Sequence, residues 1–258
     1  MSEDITNILN GWDFDPDRTY RKIVGDDGRE KIQVRVDNAA FHGVLQMELD
    51  GRPDGKRPHG YNFALDYHRD ALRRFESEHG SDSGFRLDAK SCSELFDESL
   101  RIYSRYVFLL QLHDYRRVAR DTERNMELFR FVNRYAEDKD DRMNLEKWWP
   151  YILRINGTSR ALLAIHDEQD FNKALEIVQE TREKIGLLEP VDAEEFGHEV
   201  ERSGTALDEL ENSIRSNIPL SEKDKLEEKL RLAVTEERYE DAAGLRDRIK
   251  SLKGPGAD

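Results

Sequence analysis

The sequence holds a single cysteine, Cys92, among 258 residues. A lone thiol excludes an intramolecular disulfide and any zinc site built on cysteine pairs. It also agrees with a reducing compartment. Long apolar runs are missing: none approaches the roughly 20 residues that a membrane-spanning helix needs. The opening stretch MSEDITNILNGWDFDPD is acidic and has no apolar centre, so it does not read as a secretory signal. The expectation is a soluble, cytoplasmic protein that avoids membranes. Positive charge is scarce as well, with 41 Lys and Arg against 55 Asp and Glu and a formal net charge of -14. Phosphate backbones repel such a chain, so nucleic acid is disfavoured as a partner except at a local basic patch. No GxxxxGK[ST] loop and no glycine-rich nucleotide fingerprint occurs. No cofactor and no metal is expected.

What is present points to a mainly helical fold. Hydrophobic and charged residues each make up 37% of the chain, enough for a core wrapped in solvated helical surface. The first 60 residues differ from the rest. Ile32, Val34 and Val36 alternate with polar residues, and Asp26-Asp27-Gly28 separates this run from Arg21–Val24, as in a β-hairpin. Residues 44–49 alternate again, so a small antiparallel region over 1–60 is expected. From about Tyr61 the period becomes helical. Phe63, Tyr67, Ala71 and Phe75 fall on one face, then Phe96, Leu100, Tyr103, Val107 and Leu110, then Val118, Thr122, Asn125, Phe129 and Val132. Glu137–Arg142 reads as a charged loop and Asn156-Gly157 as a break. Helices over 159–165 and 171–188 would pack as an antiparallel hairpin. This helical domain spans 61–190, and 191–219 reads as an acidic linker followed by a helix. The stretches LLQLHDYRRVA, LLAIHDEQDFNKA and LAVTEERYEDAA echo one another, which suggests helical hairpins in a loosely tetratricopeptide-like arrangement.

Residues 220–253 form a last unit. Leu226, Leu230, Ala233 and Val234 share one helical face. Glu236-Glu237-Arg238 turns the chain, and Tyr239, Ala242, Leu245, Ile249 and Leu252 recur at heptad-like, coiled-coil spacing. A hairpin of this size is too small to bury its apolar stripe by itself. It packs on the rest of the protein, on a second copy or on a partner. The run LEEKLRLAVTEERYEDAAGLRDRIKSL resembles the UVR motif, the helical hairpin of UvrB and UvrC. The resemblance rests on the leucine-spaced first helix, the acidic turn, Tyr239, Glu240-Asp241-Ala242-Ala243 and Leu245-Arg246-Asp247-Arg248-Ile249. In that family the hairpin joins excision-repair subunits. Similar hairpins occur in Clp-type ATPases and in adaptors for protein-arginine phosphorylation. The resemblance implies protein–protein binding and neither nuclease nor helicase activity. The residues expected to carry it are Leu226, Leu230, Tyr239, Ala242, Leu245 and Ile249 by packing, with Arg246 and Arg248 setting register through charge.

Three other features invite chemistry. The loop ELDGRPDGKRPHGY gathers Arg52, Lys56, Arg57 and His59. These basic residues either converge on an anion or pair with the protein's own carboxylates. His113-Asp114 and His166-Asp167 occupy matching turns, but no third partner is spaced to complete a catalytic or metal-binding set. Trp148-Trp149-Pro150-Tyr151 is the densest aromatic run. It reads first as core and second as an exposed peptide-binding platform. Cys92 has no evident base. Together these readings give a non-enzymatic, bacterial-type adaptor or scaffold that binds a protein partner, or itself, through the C-terminal hairpin. The alternative is a DNA-repair-associated factor recruited by an excision-repair subunit, with the 52–59 loop on nucleic acid.

Overall fold

The computed structural model describes residues 4–38, 40–218, 226, 229–232, 238, 241, 244–246, 248 and 249. The fold is mainly helical with a small N-terminal sheet. A short helix α1 (Thr6–Asn10) precedes strands β1 (Tyr20–Val24), β2 (Glu30–Asn38) and β3 (Phe41–Glu48), which pair antiparallel in the order β1-β2-β3. The Asp-Gly turn forms as its residues dictate: Gly28 has φ +75, a left-handed conformation that costs glycine little. Register sets Ile32 opposite Lys22 and Met47, and Val34 opposite Tyr20 and Leu45. Ile32 and Val34 are buried against helical residues Ile102, Tyr106, Leu109 and Val118, so the sheet is one wall of a shared core and not a separate domain.

Helices α2 (Ala64–His79), α3 (Ala89–Gln111), α4 (Tyr115–Tyr135), α5 (Lys139–Asn144), α6 (Trp149–Glu168), α7 (Phe171–Gly186) and α8 (Glu194–Asn217) follow. Aspartates cap four of them. Asp88, Asp114, Asp138 and Asp170 each accept a hydrogen bond from a first-turn amide of α3, α4, α5 and α7. Leu87 and Ala136 form a parallel bridge, in which Leu87 N donates to Tyr135 O at 2.8 Å and Glu137 N donates to Leu87 O at 2.9 Å. The entry to α3 is thereby tied to the exit from α4. By compactness the chain divides into residues 1–211 and 212–258.

Several expectations need correction. The buried side of α2 carries Ala64, Leu65 and His68, while Tyr67 is only half-buried and stacks on His59 with ring centroids 4.0 Å apart. In α3 the buried residues include Cys92, Leu95, Ile102, Tyr106 and Leu109. The stripe through Leu100 and Tyr103 lies on the other side, and these residues are 62% and 41% exposed. Charged residues hide this face from the sequence, because Glu98 and Arg105 are buried on it. Arg105 donates to both oxygens of Asp121, at 2.6 and 2.9 Å, and to the backbone oxygens of Glu48 and Gly51. Glu98 accepts from the amides of Ala64 and Leu65 and so caps α2. The inner face expected for α4 is the one observed.

Asn156-Gly157 does not break α6. A Cβ on Gly157 would sit 2.1 Å from Thr181 Oγ1, so the glycine lets α6 and α7 approach closely. Asn156 donates to Thr122 Oγ1 at 2.9 Å and ties α6 to α4. The charged run at 137–142 contains most of α5, capped by Asp138. The supposed acidic linker is largely the start of α8. Phe196, Glu199, Ser203 and Leu207 repeat at helical spacing on its buried side, while an added Cβ on Gly197 or Gly204 would meet open space.

Candidate functional site

A groove of about 590 Å³ opens between α3, α4, α6 and the start of α8. Its walls come from the outward stripe of α3 and from the aromatic run at the start of α6. Tyr103 meets Tyr106 edge-on at 5.4 Å and Tyr151 at 6.0 Å. Phe129 meets Trp149 edge-on at 5.5 Å. The tryptophan pair is thus divided. Trp149 packs on the core, whereas Trp148 is 37% exposed and lines the groove with Leu100. Burial holds the Tyr106 and Tyr151 hydroxyls well above their ordinary pKa, so both are neutral at physiological pH.

The rim is charged but internally matched. Glu195 accepts from Lys147 at 2.7 Å, and this bond holds its carboxyl below the usual range. Glu199 accepts from Arg154 at 2.9 Å and from Arg202 at 3.3 Å. At the floor stands Asn125, which is 1% exposed and donates to Ser99 O at 3.0 Å. Sequence periodicity placed Asn125 correctly on the inner face of α4. It assigned Leu100 and Tyr103 to the core, and so missed the groove they border. Apolar residues surround α3 on several sides, and periodicity alone does not say which side is left uncovered.

The basic loop is divided too. Arg52 is buried and donates to Asp54, Asp97 and Glu98. His59 faces Glu94 at 3.0 Å. Lys56 and Arg57 are exposed. The two His-Asp pairs meet through a residue not singled out in the sequence. The hydroxyl of Tyr115 lies 2.7 Å from His113 Nδ1, and its ring stacks on His166 at 5.6 Å. The acids pair elsewhere, Asp114 with Lys22 and Arg117, Asp167 with Arg116. Among the described residues no group of three or more His, Cys, Asp or Glu could hold a metal ion. Cys92 is fully buried, and burial pushes its thiol up to about 12, which leaves it a poor nucleophile.

Residues 212–258 form the second compact unit. Leu226 and Ile249 are buried there, Leu230 and Leu245 are half-buried, and Arg246 and Arg248 are exposed. Arg238 pairs with Asp241 at 2.6 Å. Leu232 is 53% exposed and lines an open hollow of about 560 Å³ together with Leu245 and Gly244. Tyr239 and Ala242 lie outside the described residues, as does the turn at Glu236-Glu237.

The UvrB/uvrC motif matches residues 221–254. No curated protein and no solved structure matches the chain. The UvrB/uvrC motif therefore coincides with the unit whose leucine spacing signalled a docking hairpin, and it leaves the aromatic groove outside its span. Among the described residues no helix is long and apolar enough to cross a membrane.

Proposed function

We propose that the protein is a non-enzymatic adaptor that engages a protein partner, or a second copy of itself, through the C-terminal UvrB/uvrC motif. The observation that carries this reading is the motif match at 221–254, inside a compact unit that leaves Leu232 exposed beside a hollow. A leucine of this kind is inserted into a partner's apolar surface at low cost, since it is already ordered on a helix. The residues proposed to pack on the partner are Leu230, Tyr239, Ala242 and Leu245, with Arg246 and Arg248 at the rim; Leu226 and Ile249, expected there from the sequence, are buried inside the unit and support that surface from within.

The test compares the full chain, its Leu232→Glu variant and a chain ending at residue 218. Light scattering reads self-association, and affinity capture reads partners. The expected outcome is that both altered chains lose the same species, with Leu232→Glu weakening it by about tenfold or more. Identical recovery from all three chains would reject the reading.

Docking on nucleic acid through the 52–59 loop has less support. Arg52 and His59 are engaged by the protein's own carboxylates, which leaves Lys56 and Arg57 as the exposed cations of that loop.

A further inference from the structure

The free edge of the N-terminal sheet lies outside the C-terminal motif and carries a pattern of its own. Strand β3 has one neighbour, β2, because the strand order is β1-β2-β3. In an antiparallel ladder, alternate residues turn both backbone groups toward the partner strand and the others turn both away. The bonds at the end of β3 fix which are which. Leu49 N donates to Glu30 O, toward β2, whereas Glu48 N donates to Pro53 O at 2.9 Å, away from it. The even-numbered residues His42, Val44 and Gln46 therefore present their N–H and C=O groups to the outside. Among the described residues no hydrogen bond reaches those backbone groups.

Exposed strand edges are normally blunted by lysine or other charge, by proline or by a bulge. Residues 41–47 read FHGVLQM, with no Lys, Arg, Asp, Glu or Pro, in a chain of which 37% is charged. The register from Glu48 to Phe41 is unbroken, so no bulge twists the edge away. Phe41 and Leu45 share one face of the strand and are 75% and 60% exposed. A row of open backbone groups beside exposed apolar side chains fits an added β-strand.

The pattern also says whose strand. The three open residues are centred on Val44, so the edge is its own complement under a two-fold axis. With Val44 facing Val44 of a second copy, His42 faces Gln46 and Gln46 faces His42, and every open group is matched in one register. That register sets Leu45 opposite Gly43, where an added Cβ would meet open space, and Phe41 opposite Met47. The net charge of -14 on each chain does not act here, because His42 is the one titratable side chain among residues 41–47 and it faces an amide. We propose that two copies of the chain join edge to edge through β3, antiparallel about Val44, into one six-stranded sheet. A single strand pair is a small interface, below roughly 1,200 Å², so the association is weak and reversible.

The test uses the full chain carrying Leu232→Glu, which separates this contact from the one proposed for the C-terminal motif. Sedimentation at about 100 µM is expected to show a dimer. Leu45→Lys adds the missing charge at an exposed position. It is expected to keep the fold, read by circular dichroism, and to weaken the dimer by about tenfold or more. Cross-linking reads the register. Facing Cα atoms of a hydrogen-bonded pair lie about 5.5 Å apart, within reach of a disulfide. Val44→Cys is expected to give a covalent dimer on mild oxidation. His42→Cys is not, because its two copies stand about 14 Å apart along the edge, but a mixture of His42→Cys and Gln46→Cys chains is. Cys92 is buried and does not compete. A monomer at that concentration, a dimer that Leu45→Lys leaves intact, or equal cross-linking at positions 42 and 44 would overturn the proposal. So would a chain that stays monomeric yet takes up an unrelated strand-forming peptide, since the edge would then serve a different protein.

Discussion

At Gly157 a single missing methyl sets the distance between two helices. Any Cβ there would lie 2.1 Å from Thr181 Oγ1 and 2.6 Å from Thr181 Cγ2, far inside contact distance. The hydroxyl of Thr181 is also held, because it donates to Ile177 O at 2.7 Å. Gly157→Ala improves intrinsic helix propensity by nearly 1 kcal/mol, but the overlap costs about 1–3 kcal/mol, so the net expected change is a loss of up to about 2 kcal/mol. Urea unfolding measures it. Thr181→Ala in the same chain should restore part of the loss, and a stabilised Gly157→Ala single variant would show that α6 and α7 move apart easily. In the sequence this glycine looked like a break, because nothing local distinguishes a glycine that ends a helix from one that admits a neighbour. The distinguishing residue is 24 positions away along the chain.

Among the elements, α3 shows how a correct helix can be assigned the wrong face. Its length and its Asp88 cap follow from local chemistry, and so does the apolar spacing of α4. What was not legible is that a glutamate and an arginine share the buried side of α3. Burial of charge is expensive unless every oxygen and N–H is matched. The matching groups here come from distant segments: the 48–54 loop, the start of α2 and Asp121 on α4. Paired substitutions test the face directly. Ile102→Ala, at a fully buried position, should cost about 2–5 kcal/mol, whereas Leu100→Ser should change stability by about 0.5 kcal/mol or less. Thermal or urea unfolding of the two variants gives the comparison, and equal losses would contradict the orientation of α3. The same displacement explains how the groove escaped notice, since Leu100 and Tyr103 were assigned to a core that they border from outside. The C-terminal motif was the more legible feature, because its leucine spacing, acidic turn and basic rim lie within one short run of sequence.

For the whole molecule, electrostatics works in two directions as pH changes. Asp27, Asp50, Asp70, Asp82 and Asp114 are held below their ordinary pKa, with hydrogen-bonded partners such as Lys31, Arg120, Tyr61, Tyr135 and Lys22 drawing them down. Their stabilisation is present above the ordinary aspartate range and is lost as pH falls through the lowered values. Glu98 is opposite in sign. Burial raises its pKa above the ordinary 4.5, against the pull of the Ala64 and Leu65 amides and of Arg52. Its contribution is complete below the ordinary value and declines as pH rises through the raised one. Glu98→Gln keeps an acceptor for α2 but cannot ionise. The stability of the variant relative to the parent chain should therefore increase as pH rises from about 4.5 through the raised value of Glu98, read from urea midpoints at successive pH values. A difference that does not vary with pH would remove Glu98 from this role. The bridge between Leu87 and Ala136 has a separate, mechanical consequence. Helices α3 and α4 are joined by a turn at one end and by two backbone hydrogen bonds at the other, so together they make a closed ring. Opposed forces on its two ends meet those two bonds first, and neither helix can peel from the other until they have broken.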